Sequence, residues 1–84
     1  MYTLRLTASA EKDLRKLPRS TLERLHVKIL ALRETPWPAG VTKLSGDLDG
    51  WRVRVGNYRI VYQIDDAAQI VTLVRVRHRR DVYR

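Results

Sequence analysis

Apolar residues in this 84-residue chain change their spacing about halfway along, from a helical period to a period of two. Residues 2–6 alternate apolar and polar side chains, which predicts an opening strand. Residues 7–17 and 19–35 then follow helical spacing, and Pro18 separates the two segments. With almost no linker between them, we predict that these segments form an αα-hairpin.

The second predicted helix has signals at both of its ends. Ser20 and Glu23 have the spacing of a capping box, and Pro36 and Pro38 follow the last apolar residue. Its apolar residues form one stripe at helical spacing, namely Leu22, Leu25, Ile29 and Leu32. We expect this stripe to cover one face of a sheet.

A two-residue turn at Gly56-Asn57 is predicted to join the next two strands, residues 51–55 and 58–64. In that register Arg54 lies directly opposite Arg59, and the apolar side chains share the other face of the sheet. Two guanidinium groups side by side repel each other, so a sheet gains no stability from this pair. The pattern therefore raises the possibility of an anion that binds both.

The remaining segments complete an α+β domain. Residues 36–50 form a loop, residues 70–77 form a further strand, and the tail at 78–84 is too short to assign. The predicted order is βααβββ, with the αα-hairpin packed on one face of a small antiparallel sheet and a short C-terminal tail. Residues 1–84 are expected to form a single domain.

Positive charge is concentrated on two of the predicted strands. The chain has 17 Lys and Arg against 9 Asp and Glu, a formal net charge of +8. Residues 51–64 and 73–80 carry seven arginines and no acidic residue, so the rest of the chain is close to neutral. Because the planar guanidinium fork suits phosphate, a polyanion is the expected partner, with nucleic acid first.

Composition disfavours several other classes. The chain has no cysteine, which excludes disulfides and thiolate metal sites. No apolar stretch approaches the roughly 20 residues of a membrane span, and the N-terminus lacks the pattern of a signal peptide. We expect a cytoplasmic protein with no membrane association, no metal and no cofactor.

Three stretches together resemble the RelE branch of the RelE/ParE superfamily, the toxins of bacterial type II toxin–antitoxin pairs. They are SAEKDLRKLP (9–18), KLSGDLDGWRVRVGNYRIVYQI (43–64) and VRVRHRRDVY (74–83). The resemblance implies a metal-independent endoribonuclease, an mRNA interferase that cuts mRNA in the ribosomal A site and so inhibits translation. In this reaction the 2′-hydroxyl of the mRNA attacks the adjacent phosphate. The resemblance also implies two kinds of partner, a cognate antitoxin protein and the ribosome with its mRNA.

The resemblance also implies roles for individual residues. Tyr83 would stack on a base of the codon, and the catalytic basic residues would be Arg52, Arg54, Arg59 and Arg79. Position 52 is often Lys in relatives, and an Arg is a poor general base. We therefore add the hypothesis that His78 contributes acid–base chemistry. Further RNA contacts are predicted for Lys43, Arg75, Arg77 and Arg80.

Two other functions are compatible with the same residues. ParE-like relatives share the fold and poison DNA gyrase without cleaving RNA, although they generally lack this complete set of basic residues and Tyr. A non-catalytic module that binds RNA or the ribosome is also possible, because phosphate attraction alone gives binding without chemistry.

Overall fold

The computed structural model describes residues 1–44 and 50–82, and it confirms the α+β class. The predicted elements are present, together with a short strand in the predicted loop and a short helix in the tail. In chain order they are β1 (Thr3–Leu6), α1 (Ala8–Arg15), α2 (Arg19–Ala31), β2 (Thr42–Lys43), β3 (Trp51–Val55), β4 (Tyr58–Asp65), β5 (Ile70–His78) and α3 (Arg79–Val82). No helix within this part of the chain is long and apolar enough to cross a membrane.

The five strands form one sheet in the order β1-β5-β4-β3-β2. Strands β3, β4 and β5 pair antiparallel, as predicted, and the additional strand β2 pairs antiparallel to β3, whereas β1 pairs parallel to β5. The sheet is therefore mixed rather than purely antiparallel. Tight turns fix the directions of β3, β4 and β5, but the αα-hairpin separates β1 from them and leaves its direction to the packing of the helices.

The β3–β4 hairpin has the predicted register, with Arg54 opposite Arg59 and Val53 opposite Ile60. Gly56, the first turn residue, has a φ of +59°. Among the described non-glycine residues only Gln69 has a positive φ, so Asn57, the second turn residue, does not. A positive φ at the first turn position alone is typical of a type II′ turn, whose twist matches that of the strands. This turn fixes which residues of β3 and β4 face each other.

The core lies between the helices and one face of the sheet. Three members of the predicted stripe of α2 are buried, Leu25, Ile29 and Leu32, whereas the fourth, Leu22, is 37% exposed and does not join the core. On β4, Tyr62 is fully buried, and its hydroxyl donates a hydrogen bond of 2.7 Å to the carbonyl oxygen of Pro36. The other buried members of the core are Ala10, Ile60, Val71, Leu73 and Val76.

The helix starts differ in how well the sequence predicted them. Thr7 caps α1, because its Oγ1 accepts a hydrogen bond from the N–H of Ala10. The capping box predicted for α2 is wrong, since that helix begins after Pro18 without a side-chain cap. Its Glu23 instead pairs with Arg19 one turn earlier, at 3.3 Å. The fixed φ of Pro18 allows the helix to begin before Ser20.

Candidate phosphate-binding site

Three arginines lie side by side across adjacent strands of the sheet. The register places Arg54 of β3 opposite Arg59 of β4, and Arg59 opposite Arg77 of β5. The neighbouring pairs in the same ladders include Val53, Ile60 and Val76, whose side chains turn towards the helices. Because successive side chains point to opposite faces, the three arginines lie on the face that the helices leave open.

Arg59 occupies the middle of this row and is only 4% exposed, whereas Arg54 and Arg77 on either side are exposed. The row therefore has exposed arginines at both of its edges and a buried arginine between them.

Arg54 and Arg59 also line a cavity of about 210 Å³ at the hairpin end of the sheet. We call it the arginine cavity, and its lining residues are Arg54, Gly56, Asn57, Tyr58, Arg59 and Arg79. None of these six residues is acidic. The volume lies below the roughly 300–1,000 Å³ of pockets that enclose a whole small ligand, so it suits one charged group of a longer chain.

Arg79 reaches this cavity from the other end of the described chain. Its backbone N–H donates a hydrogen bond of 2.6 Å to the carbonyl oxygen of Asn57 in the hairpin turn. This bond holds the first residue of α3 against the turn. Segments β3, β4 and α3 thus bring three arginines to the lining of one cavity, and the guanidinium fork is suited to the oxygens of a phosphodiester.

His78 lies beside the arginine cavity but does not line it. Its ring packs edge-on against Tyr58, with 5.0 Å between ring centroids, and Tyr58 separates it from the cavity. His78 Nδ1 accepts a hydrogen bond of 3.2 Å from the N–H of Arg80. In this arrangement Nδ1 carries no proton, and Nε2 is the nitrogen that remains for other contacts.

A second cavity, of about 350 Å³, lies on the other side of Tyr58 and is called here the His78 cavity. Besides Tyr58 and His78, its lining consists of Asp13, Lys16, Leu17, Arg75, Val76 and Arg77. Unlike the arginine cavity, it contains a carboxylate.

That carboxylate binds Arg75. Asp13 accepts two hydrogen bonds from the Arg75 guanidinium group, at 2.9 Å and 3.2 Å, and a third from the N–H of Val76 at 2.9 Å. These bonds join α1 to the edge of β5. Arg75 therefore has a carboxylate partner within the fold, which weakens the prediction that it contacts RNA.

The remaining predicted site residues lie in different places. Arg52 is half-buried on the open face, opposite Val61, and does not line the arginine cavity. Lys43 pairs with Trp51, and its Nζ lies 5.8 Å from the centroid of the Trp51 ring. Directly opposite residues share a face, so Lys43 lies on the helix side, away from Arg52. Arg80 is exposed on α3.

Tyr83 lies outside the described residues. The predicted site therefore divides into Arg54, Arg59 and Arg79 in one cavity, Arg77 beside it, and a remainder that this cavity does not include. Residues 1–44 and 50–82 contain no group of three or more side chains that could hold a metal ion.

Sequence reasoning missed two side chains near the arginine cavity. Tyr58 lines it directly. Its position immediately after the Gly56-Asn57 turn could have indicated that it lies near Arg54 and Arg59. Arg24 of α2 approaches the same turn, with its terminal nitrogens 3.6 Å and 3.8 Å from the position a Cβ atom would take on Gly56. The helical pattern gave no indication of this approach, because it depends on how α2 lies against the sheet.

Comparison with known proteins supplies a family for this fold. A family model described as the ParE toxin of the type II toxin–antitoxin system parDE matches residues 4–83. Toxin RelG of Mycobacterium tuberculosis is 39% identical, over 99% of this chain and 97% of its own length. The toxin–antitoxin complex RelBE2 of the same organism contains a chain with a TM-score of 0.83 and 35% identity, covering 93% of this chain and 98% of that one. The isolated Escherichia coli RelE toxin gives a TM-score of 0.80 at 30% identity, covering 93% and 84%.

Proposed function

This chain belongs to the RelE/ParE superfamily of type II toxin–antitoxin toxins, and on that premise we propose that it is an endoribonuclease that cuts mRNA in the ribosomal A site. One observation above all supports the proposal. Arg54, Arg59 and Arg79 line one cavity, and none of the described residues that line it is acidic. Such a cluster of cationic residues attracts the negative charge of a phosphodiester.

The reaction requires stabilisation of negative charge at phosphorus. The 2′-oxygen of the RNA loses its proton and bonds to the adjacent phosphorus, and the bond to the 5′-oxygen of the next nucleotide breaks. The products are a 2′,3′-cyclic phosphate and a 5′-hydroxyl, which takes up a proton. Arg54 and Arg59 would bind the non-bridging oxygens, where charge increases in the transition state. Arg79 would lie near the leaving 5′-oxygen.

An arginine is a poor general base for removing the 2′-proton, because the guanidinium group has hydrogen-bond donors and no acceptor. Arg52 is accordingly proposed to stabilise charge rather than to act as a base. Among the described residues His78 is the candidate for proton transfer, and only through Nε2, because Nδ1 accepts the hydrogen bond from Arg80. The RNA or the ribosome is the alternative source of this group.

The structure supports some of the other proposed RNA contacts better than others. Tyr83 would stack on a base and orient the codon, as aromatic residues do with unpaired bases. Arg77 and Arg80 are exposed next to the arginine cavity and would bind flanking phosphates. Arg75 and Lys43 have a weaker case, because Asp13 binds the first and the second packs on Trp51.

A cognate antitoxin is the proposed protein partner. The RelBE2 complex pairs a similar toxin with its antitoxin, as do solved RelE–RelB complexes from Pyrococcus horikoshii and E. coli. An antitoxin of this chain would be expected to wrap the domain with a helix or an extended segment and to bring acidic residues. Action on ribosomes would place the toxin in the cytoplasm.

The decisive experiment maps RNA ends. The purified protein is incubated with mRNA alone and with ribosomes stalled over an empty A site, alongside Arg59→Ala, Tyr83→Ala and a control, Arg19→Ala. Ribosome-dependent cuts within the A-site codon are expected for the wild type and the control, and not for the other two variants. Arg19→Ala is a suitable control because the Arg19 side chain is 92% exposed on α2, and its substitution removes the same charge as Arg59→Ala. Absence of cutting by the wild type under both conditions would reject the nuclease.

Gyrase inhibition is the second candidate, because the matching family model is described as a ParE toxin. The two functions differ in the first process that fails in a cell expressing the protein. A nuclease arrests translation before DNA is damaged, whereas a gyrase poison induces DNA damage while translation continues. Pulse labelling of protein synthesis together with a DNA-damage reporter separates them.

A further inference from the structure

A fourth guanidinium group lies at the rim of the arginine cavity. Gly56 lines that cavity, and a Cβ atom on Gly56 would lie within 3.6–4.0 Å of the terminal guanidinium atoms of Arg24. Arg24 comes from α2, which packs on the helix side of the sheet, and its side chain extends to the hairpin tip. Arg24 is exposed, so the group faces solvent at the point where the cavity opens.

Lys28 continues this positive charge along α2. It lies four residues after Arg24, and residues at this spacing are neighbours on a helix surface. Lys28 lines a groove of about 300 Å³ between α2 and β3, and Arg54 lines the same groove. Arg24 thus lies close to Gly56 of the arginine cavity, and Lys28 lines a neighbouring groove that shares Arg54 with it.

Neither cation is neutralised by an acid in the described part of the chain. The ion pairs there involve Arg15, Arg19 and Arg75, and not Arg24 or Lys28. Glu23, next to Arg24 in sequence, pairs with Arg19. Glu34 lines the same groove as Lys28 but forms no ion pair with it. Like charges four residues apart destabilise a helix slightly, so the pair gives α2 itself no benefit.

We propose that Arg24 and Lys28, named here the α2 strip, bind phosphates of an RNA strand that continues out of the arginine cavity. The inference rests on the proposed function, because it takes RNA as the ligand of that cavity. Its chemistry is phosphodiester recognition by two exposed cations, and the strand that supplies the phosphates is either mRNA or ribosomal RNA. The strip extends the binding surface from the open face of the sheet around the hairpin tip to the helix side.

Salt dependence of binding tests the strip without any need for cleavage. The ligands are 2′-O-methyl RNA oligonucleotides, which lack the attacking hydroxyl, in a dinucleotide form and a long form. The proteins are wild type, Arg24→Gln/Lys28→Gln, and Lys12→Gln/Arg19→Gln as a control that removes the same charge from other exposed helix positions. Loss of two phosphate contacts lowers the slope of log K against log salt by about 1.4, at about 0.7 per contact with a single strand.

For the long oligonucleotide we expect this lower slope in the α2-strip variant only, with the dinucleotide bound equally by all three proteins. A parallel measurement uses ribosomes whose message ends at the P site, so that the A site contains ribosomal RNA alone. If the α2-strip variant binds these ribosomes more weakly than the wild type but binds the oligonucleotide equally well, the phosphates bound by the strip belong to ribosomal RNA.

Two results would overturn the strip. One is wild-type slopes with both oligonucleotides together with wild-type binding to ribosomes, and the other is an equal decrease in the control, which would reflect net charge. A wild-type protein that binds RNA but cuts none would reject the nuclease proposal and leave the measurement of the strip intact. Thermal unfolding of all three proteins verifies that the substitutions leave the fold in place.

Discussion

Two cavities lined by arginine meet at Tyr58, and a single carboxylate distinguishes them. The described residues that line the arginine cavity include three arginines and no acid. The His78 cavity has Arg75 and Arg77 together with Asp13. Both draw on the same acid-free segments of the sequence, so the density of arginine alone does not separate a binding site from a structural contact.

Asp13 explains the different use of the two regions. Its carboxylate binds both the Arg75 side chain and the N–H of Val76, which joins α1 to β5. In the arginine cavity Arg54 lies directly opposite Arg59, and two like charges in this arrangement repel each other. Arg75 thus has a structural role, whereas the role proposed for the arginine cavity is to bind phosphate.

The largest expected effect follows from removing one cation from the arginine cavity. Arg54→Ala should lower the single-turnover rate of mRNA cleavage on ribosomes by about 10²–10³-fold, the usual loss when a transition-state donor is removed. Because Arg54 is exposed, this substitution should change the free energy of unfolding of the protein by about 0.5 kcal/mol or less. Arg75→Ala is the matched variant, and it should retain the rate of cleavage. Equal loss of rate in both variants would remove the distinction between the two cavities.

The stability side of the comparison is tested at Asp13. Asp13→Ala removes the partner of Arg75 and of the Val76 N–H, and should lower the free energy of unfolding by about 2 kcal/mol. Chemical denaturation of Asp13→Ala, Arg75→Ala and the double variant gives the coupling energy between the two side chains. The cleavage rate should stay at the wild-type level in folded protein. A coupling energy of zero would mean that the contact contributes nothing to stability.

Local patterns in the sequence predicted the sheet that carries the site. The period of two over residues 51–55 and 58–64 and the Gly56-Asn57 turn together gave the register that places Arg54 beside Arg59. This succeeded because turn length and side-chain alternation determine a hairpin register without reference to the rest of the chain. The α+β class followed from the order of elements in the same way.

Contacts between distant segments were beyond reach of the same reasoning. Asp13 and Arg75 are 62 residues apart, and nothing in either segment indicates that they meet. The approach of Arg24 to Gly56 likewise depends on the position of α2 over the sheet. The parallel pairing of β1 with β5 is a third case, since no turn connects those strands. Such contacts follow from packing, which alternation and spacing do not specify.

Tyr62 is a third case beside the two cavities, because its hydroxyl is a polar group that forms a hydrogen bond inside the core. Burial raises the pKa of its hydroxyl from 10.0 to about 12. Between those two values the unfolded chain loses the proton while the folded protein keeps it, so the free energy of unfolding falls as the pH rises. We expect a loss of about 1 kcal/mol between about pH 9 and about pH 11, measured by urea denaturation. This contribution is complete below pH 10 and is lost as the pH rises through the folded value.

Substitutions of tyrosine identify the source of that loss. Tyr62→Phe should flatten the dependence while lowering stability at neutral pH, because the carbonyl oxygen of Pro36 loses its donor. Tyr2→Phe is the control, since the pKa of the exposed Tyr2 hydroxyl is also raised, chiefly by its hydrogen bond to Asp66. An unchanged slope in Tyr62→Phe would show that the buried hydroxyl is not responsible.

His78 lies between the two regions, and its role is the last point of the comparison. Its Nδ1 accepts a hydrogen bond from the N–H of Arg80 in α3, which is next in sequence to Arg79 of the arginine cavity. If His78 serves by holding α3 in place, His78→Asn should retain most of the cleavage, because the Asn oxygen can accept the same bond. Proton transfer by Nε2 would instead make both His78→Asn and His78→Gln lose about 10²–10⁴-fold in single-turnover rate. The proposed proton transfer predicts the larger loss, whereas a loss within about tenfold for Asn, with a flat pH profile near neutrality, would assign His78 to positioning α3. A large and equal loss in the two variants would assign His78 to the chemistry. Tyr58 would then lie between two parts of one catalytic site.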